Sequence, residues 1–246
     1  MGCTPYRHSS WLRYFGPMTS TSTKLLAFAS MVSLFSFAPD LRAADMHERI
    51  QTAIQILEQK QGSDEPIPAD LLNHAKGVAI FSLTKAGLGI GGQGGEGIVV
   101  LRLGDKAVST WSAPSAFNLG GGSLGAQIGF TEVRYIVVLN TDDAVRHFIS
   151  KGKVNWDAMA TGTAGSDTGT AKVSTSELKR RSVIVYKDSA GIFGGATLGG
   201  TSVERKDAIN QQAYGNNVRT RNILDGNVPA PKSAARLYTL LDGKVS

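Results

Sequence analysis

Residues 87–101 read Gly87-Leu88-Gly89-Ile90-Gly91-Gly92-Gln93-Gly94-Gly95-Glu96-Gly97-Ile98-Val99-Val100-Leu101. Glycine first alternates with apolar residues, and a β-branched run follows. In a strand, alternate residues share a face. Here one face would carry almost no side chains. Such a face admits another backbone, a helix or a ligand at close range. It also weakens the strand, by roughly 0.5–1 kcal/mol per glycine relative to alanine. Two readings account for that cost. One is close packing in a strongly bent sheet. The other is a groove for an acyl chain or headgroup, lined by Gly87, Gly89, Gly91, Gly125, Gly194 and Gly195. Looser versions of the pattern recur at 120–129 and 191–200.

Outward from this stretch, strands dominate. Val78–Leu83, Gly97–Leu103, Thr131–Asn140 and Ser182–Lys187 are short apolar runs bounded by turn residues. Helical patterns flank them. Ile50, Ile54 and Leu57 fall on one face of a helix over 45–60, with Glu48, Arg49, Gln51 and Glu58 mostly elsewhere. A short helix is expected over 69–75, and another from Thr141, which caps it ahead of two acids. Further helical pieces fall at 206–214, 217–224 and 232–241. No linker divides the chain after residue 66. The fold class is α+β: one domain, 45–246, with a curved antiparallel glycine-rich sheet and helices at both ends.

The chain has 246 residues, 29 of them glycine, and a net charge of +6. Residues 1–44 hold four bases and one acid, which leaves about +3 for the remainder. That is a weak bias toward anionic surfaces, and no nucleic-acid stripe is present. Residues 1–44 read as an export segment, with Lys24, the uncharged run Leu25–Phe37, and the small pair Ala43-Ala44. The expected location is periplasmic or secreted, with peripheral attachment to a membrane as a further option. The one cysteine, Cys3, precedes the apolar run, so no lipoprotein anchor is expected, and no disulfide or cysteine chemistry.

Catalytic motifs fail on context. Gly87, Gly89 and Gly92 match a dinucleotide fingerprint, but a strand-like run follows where a helix is needed. Ser123 sits in a G-x-S-x-G pattern, but again without the required helix, and His147 is the only later histidine. His8, His47, His74 and His147 have no metal-ligand spacing. No catalytic residue, metal or cofactor is expected. Lys179-Arg180-Arg181 is the densest basic run, with Lys85, Lys151 and Lys153 as further candidates for membrane contact. Each base near an anionic membrane contributes about 1 kcal/mol. The competing reading is solvated protection of a sheet edge.

An ordered set of motifs completes the reading. Ala75–Phe81, Lys85-Ala86-Gly87 and Gly97–Val100 open it. Trp111-Ser112-Ala113-Pro114-Ser115, Gln127-Ile128-Gly129 and Val137–Thr141 follow. Tyr186-Lys187, Gly191–Gly195 and Asn210–Gly215 close it. Over roughly 47–242 the chain closely resembles the SYLF domain, also known as the Las-seventeen-binding domain. The resemblance implies a curved antiparallel sheet with flanking helices and a non-catalytic function in binding phospholipid or phosphoinositide. In eukaryotic members it implies membrane contact through an amino-terminal amphipathic helix, whose counterpart here is 45–60; that helix mixes both charges on its polar face. For an exported chain the expected partner is an anionic phospholipid surface, or alternatively a protein of the envelope, and actin binding is not expected.

Overall fold

The computed structural model describes residues 45–104, 110–150, 153–155, 174–195 and 202–243. For residues 88–90, 123–128, 150, 153–155 and 189–195 it describes the backbone alone. The described residues lie in the unit Ala43–Ser246. The export reading of 1–44 and the candidate Lys151 therefore fall outside them.

Two strands organise the fold. β1 (Gly77–Leu101) and β2 (Ser115–Leu139) are each 25 residues long and pair antiparallel over nearly their full lengths. The sequence suggested separate short strands here, but the glycines between them are themselves strand. Straight, such a ribbon would run for about 80 Å at roughly 3.3 Å per residue. It bends instead. The register slips between Leu88 and Ile90, at the end of the glycine-apolar alternation. Beyond the slip β1 returns antiparallel along its own first half.

The return is tight enough to require glycine. A Cβ on Gly97 would lie 2.0 Å from the Ile80 carbonyl oxygen, and one on Gly95 2.4 Å from that of Ser82. One on Gly77 would meet the Leu101 side chain at 2.6 Å. Gly92 and Gly94, in the same stretch, have nothing within 4 Å of such an atom. Close packing is thus the work of Gly77, Gly95 and Gly97.

Three shorter strands complete a five-stranded sheet among the described residues. β3 (Lys153–Asn155) pairs with β5 (Ser202–Arg205), and β5 pairs with β2 near Phe117–Gly120. β4 (Val183–Gly195) pairs with β2 over 127–139. Both sheet faces are buried, which explains the near-continuous apolar runs. One face carries Val78, Ile80, Ile136, Val138 and Ile184; the other carries Ala79, Phe81, Val99, Phe117 and Val137.

Helices seal these faces. α1 (Met46–Gln61) starts in a capping box between Asp45 and Glu48 and buries Ile50, Ile54 and Leu57. α2 (Ala69–His74) follows it and buries Leu71 and Leu72. α3 (Asp142–Ser150) follows β2; Thr141 Oγ1 accepts from the Ala144 amide at 3.1 Å, and Phe148 packs 6.0 Å from Phe117, ring to ring. α4 (Thr175–Arg180) precedes β4. At the carboxyl end come α5 (Asp207–Tyr214), α6 (Thr220–Leu224), a 3₁₀ turn at Lys232–Ala234 and α7 (Ala235–Leu241), which returns to pack on α1. The fold is α+β as expected; α3 lies where Thr141 marked a helix start, and α4 is a further helix inserted before β4.

The glycine contacts sort the substitutions. Gly97→Ala is expected to destabilise by about 3 kcal/mol or more, because its neighbour is backbone that cannot yield. Gly94→Ala should be neutral or stabilise by about 0.5–1 kcal/mol. Urea denaturation of both variants checks this, and equal stabilities would contradict it.

Candidate ligand-binding surface

Arg49 was assigned to the polar face of α1, and the structure corrects this. It is only 1% exposed. Its Nη1 donates to the Phe117 carbonyl and to Asn118 Oδ1, both at 2.8 Å, and its Nη2 pairs with Glu96 at 3.0 Å. Helical periodicity alone could not separate a buried arginine from a solvated one, since the charge is satisfied by residues 47–69 positions away. Burial lowers the Arg49 pKa, and the Glu96 carboxylate opposes that shift. At the other end of α1, Gln59 Oε1 accepts from Arg134 at 2.7 Å. The helix is thereby pinned across both halves of the ribbon, with its apolar face committed to the core.

The Trp111–Ser115 motif is structural. Trp111 is 1% exposed, donates to Asp242 at 2.9 Å, and has the Arg102 guanidinium 4.2 Å from its ring centre. Ser112 Oγ accepts from the Leu101 amide. Tyr238 donates to the Ser112 carbonyl at 2.8 Å, and Tyr214 to the Pro114 carbonyl at 2.7 Å. Asn210 joins Ala116, Ser115 and Thr220. These bonds fasten the carboxyl-terminal helices to the sheet.

The catalytic alternatives find no geometry. Ser123 lies in continuous strand opposite Gly91, so no nucleophile elbow forms. Gly87, Gly89 and Gly92 lie in β1 with no helix after them. His47, His74 and His147 sit exposed on α1, α2 and α3. Among the described residues no three His, Cys, Asp or Glu side chains gather where a metal ion could bind.

The basic candidates are dispersed. Lys179 and Arg180 end α4 and Arg181 follows it, so this run is a helix terminus shortly before β4. Lys179 pairs with Asp70 of α2, and Arg181 pairs with Glu177 at 3.3 Å; Arg180 is exposed. Lys85 is half-buried on β1 opposite Thr131. It stands eight residues from the Gly77 end near α4, about 25 Å along the strand. Lys153 pairs through its backbone with Glu204. The glycine candidates do gather. Gly87 pairs with Gly129, Gly91 with Ser123, Gly194 with Ile128 and Gly195 with Gln127, while Gly89 and Gly125 flank the slipped register. All six belong to the bent end of the sheet.

Next to that end is a groove of about 380 Å³. Its walls are Ile56, Gln59 and Lys60 of α1, Ser63, Asp64 and Glu65 of the following turn, Arg134 and Ile136 of β2, and Tyr186, Lys187 and Asp188 of β4. The Lys60 ammonium lies 5.4 Å from the Tyr186 ring centre. Where α1 ends, the sheet face it covers continues outward along β2 through Glu132 to Phe130. Phe130 is 60% exposed, the one large hydrophobic side chain so exposed among the described residues. Neither the groove nor Phe130 was visible in the sequence, because both depend on where α1 stops over the sheet.

Two expectations follow. Arg49→Leu should cost about 2–4 kcal/mol in urea denaturation, by leaving the Phe117 carbonyl and Glu96 without their donor; an unchanged midpoint would contradict this. Burial raises the pKa of Tyr186, Tyr214 and Tyr238, that of Tyr186 to about 12. Unfolded tyrosine titrates near 10. The associated stability is therefore complete below pH 10 and is lost as pH rises from there through the folded-state values. Thermal midpoints should hold to about pH 9.5 and then fall, less steeply in Tyr214→Phe/Tyr238→Phe; an identical fall in that variant would contradict the assignment.

Comparison with known proteins bears on this arrangement. Residues 120–244 match the family model described as Ysc84, Las17-binding protein actin regulator. LAS seventeen-binding protein 3 of Saccharomyces cerevisiae is 33% identical over 185 residues, which are 74% of this chain and 40% of that protein. SH3 domain-containing YSC84-like protein 1 of Homo sapiens is 34% identical over 186 residues, 76% of this chain and 54% of that protein. The chain thus spans about half, or less, of these relatives' length. The family description overturns the expectation that actin is not a partner. That exclusion rested on an inferred compartment and on no residue of the domain. By its motifs, its bent antiparallel sheet and this match, the chain belongs to the Ysc84 (SYLF-domain) family, whose model is described as a Las17-binding actin regulator and not as an enzyme.

Proposed function

We propose that the domain is a non-catalytic module that docks on a phospholipid surface with the bent end of its sheet. The observation that carries this reading is Phe130, a large apolar side chain left uncovered beside a groove lined by Lys60, Arg134 and Lys187. An aromatic ring with cationic neighbours suits the boundary between acyl chains and headgroups. Burial of a phenylalanine side chain contributes about 1.5–3 kcal/mol, more than a lysine already held in an ion pair can add. Apolar insertion therefore leads, and Lys179 and Arg181, paired with acids, contribute less. Export through residues 1–44 is part of the proposal and would bring the domain to an envelope membrane as a periplasmic or secreted protein.

A second reading is favoured by the relatives' names. A chain of this family could instead bind a protein partner: actin, or a Las17-like regulator of it. The uncovered face would then be a protein-docking surface.

Pelleting of the full chain separates the readings. Wild-type protein should sediment with phospholipid vesicles, with modest loss at high salt. Phe130→Asp should weaken that binding about tenfold or more at unchanged thermal stability. Equal binding by the variant would contradict the assignment of the face. Sedimentation with actin filaments but not with vesicles would replace the lipid reading with the protein one.

A further inference from the structure

The groove at the end of α1 contains a buried polar atom with nothing to bond. Tyr186 is 6% exposed, lines the groove, and its hydroxyl has no hydrogen-bond partner. An unpaired buried hydroxyl is destabilising, because it gives up its bonds to water and gains none in return. Phenylalanine would fill the same space without that penalty. The Lys60 side chain lies over the ring and forms no ion pair with a carboxylate among the described residues. Such a contact is weak near a surface, and a lysine stem is flexible. Lys60 is therefore free to leave the ring for a ligand in the groove.

The charges around the groove indicate what would enter. Arg134 is engaged with Glu132 at 3.3 Å and with Asp188 at 3.6 Å. The remaining charges of the wall are of both signs: Lys60 and Lys187, with Asp64 and Glu65 exposed in the turn after α1. A simple anion would meet the two carboxylates, and a simple cation would meet Lys60. A ligand carrying both signs satisfies both sets of groups. The Tyr186 hydroxyl has a proton to donate, and a phosphate oxygen would accept it.

We propose that this groove is a binding site for a zwitterionic phosphate ester of the phosphoethanolamine class, its phosphate held by the Tyr186 hydroxyl and Lys60, its ammonium by Asp64 and Glu65. The inference rests on the phospholipid reading above and supplies its headgroup. Geometry favours the lipid over a free phosphate ester: Arg134 lines the groove, and Phe130 stands four residues along the same strand and on the same face, about 13 Å away. A headgroup in the groove would thus leave its acyl chains on the Phe130 side.

The test uses the full chain and three probes: vesicles of phosphatidylcholine with phosphatidylethanolamine added, the same vesicles with phosphatidylglycerol added instead, and soluble O-phosphoethanolamine. Wild type should bind the ethanolamine vesicles at least fivefold more tightly than the glycerol vesicles. Tyr186→Phe should erase that preference while its melting temperature stays equal or rises, which a merely structural tyrosine would not do. Asp64→Asn/Glu65→Gln should lose the preference and retain binding to glycerol vesicles. Saturable binding of O-phosphoethanolamine, lost in Tyr186→Phe, with no ethanolamine preference on vesicles would keep the site but assign it to a soluble ester. Equal binding of both vesicle types by wild type, with no response to O-phosphoethanolamine, would overturn the site and leave the docking face intact. Absence of vesicle binding altogether would instead overturn the docking reading, and O-phosphoethanolamine alone would then decide the groove.

Discussion

The backbone contact between the two halves of β1 is the constraint on which the rest depends. Gly97 against Ile80, and Gly95 against Ser82 and Leu83, leave no room for a Cβ. Only because these positions lack side chains can a 25-residue strand return along itself. That return sets both cores. It brings Val99 and Phe117 into one cluster with Phe81, and Ile98 and Ala116 into another with Ile80. Without it the ribbon would be two flat hairpin halves, each with an apolar face and nothing to cover it.

Arg49 builds on that arrangement. Its guanidinium reaches the Phe117 carbonyl, Asn118 and Glu96 on the returning half, so α1 can seat only once the return has formed. The helix then runs toward Arg134 on the first half and stops at Gln61. Where it stops decides what stays open. A turn longer, and it would reach over the groove beside Tyr186. As it is, the sheet emerges from beneath the helix at Glu132 and Phe130, and the surface proposed for lipid lies in that gap. The same strand residues that hold the core at Ile136 and Val138 thus continue into an uncovered apolar position six to eight residues away.

Much of this was legible in the sequence, for identifiable reasons. Runs such as Val78–Leu83 and Ile136–Leu139 are β-branched and unbroken, which marks strands buried on both faces. The helical spacing of Ile50, Ile54 and Leu57 marks α1, and Thr141 ahead of two acids marks the start of α3. The glycine-apolar alternation pointed to a bent sheet or a groove without deciding between them, and the ordered motifs marked the family. What the sequence could not separate was function within a class of residue. Gly97 and Gly94 are equivalent in pattern, yet only the first meets backbone. Arg49 and Glu48 are adjacent charges, yet only the first is buried. Lys179, Arg180 and Arg181 look like one basic patch, yet two of the three are held by Asp70 and Glu177. Tyr186 belonged to a motif, but its unsatisfied hydroxyl emerges only when β4 is laid beside β2 under the end of α1. These distinctions are tertiary, set by partners distant in the chain.

Hydrogen–deuterium exchange of the full chain, with and without phospholipid vesicles, tests the central claim most directly. The account places protection in peptides covering the end of α1 and its turn (56–65), β2 from Phe130 to Ile136, and β4 around Tyr186–Asp188, with α4 and the carboxyl-terminal helices unchanged. Protection confined to 175–181, or to 207–241, would contradict it and move the docking surface to another face of the domain.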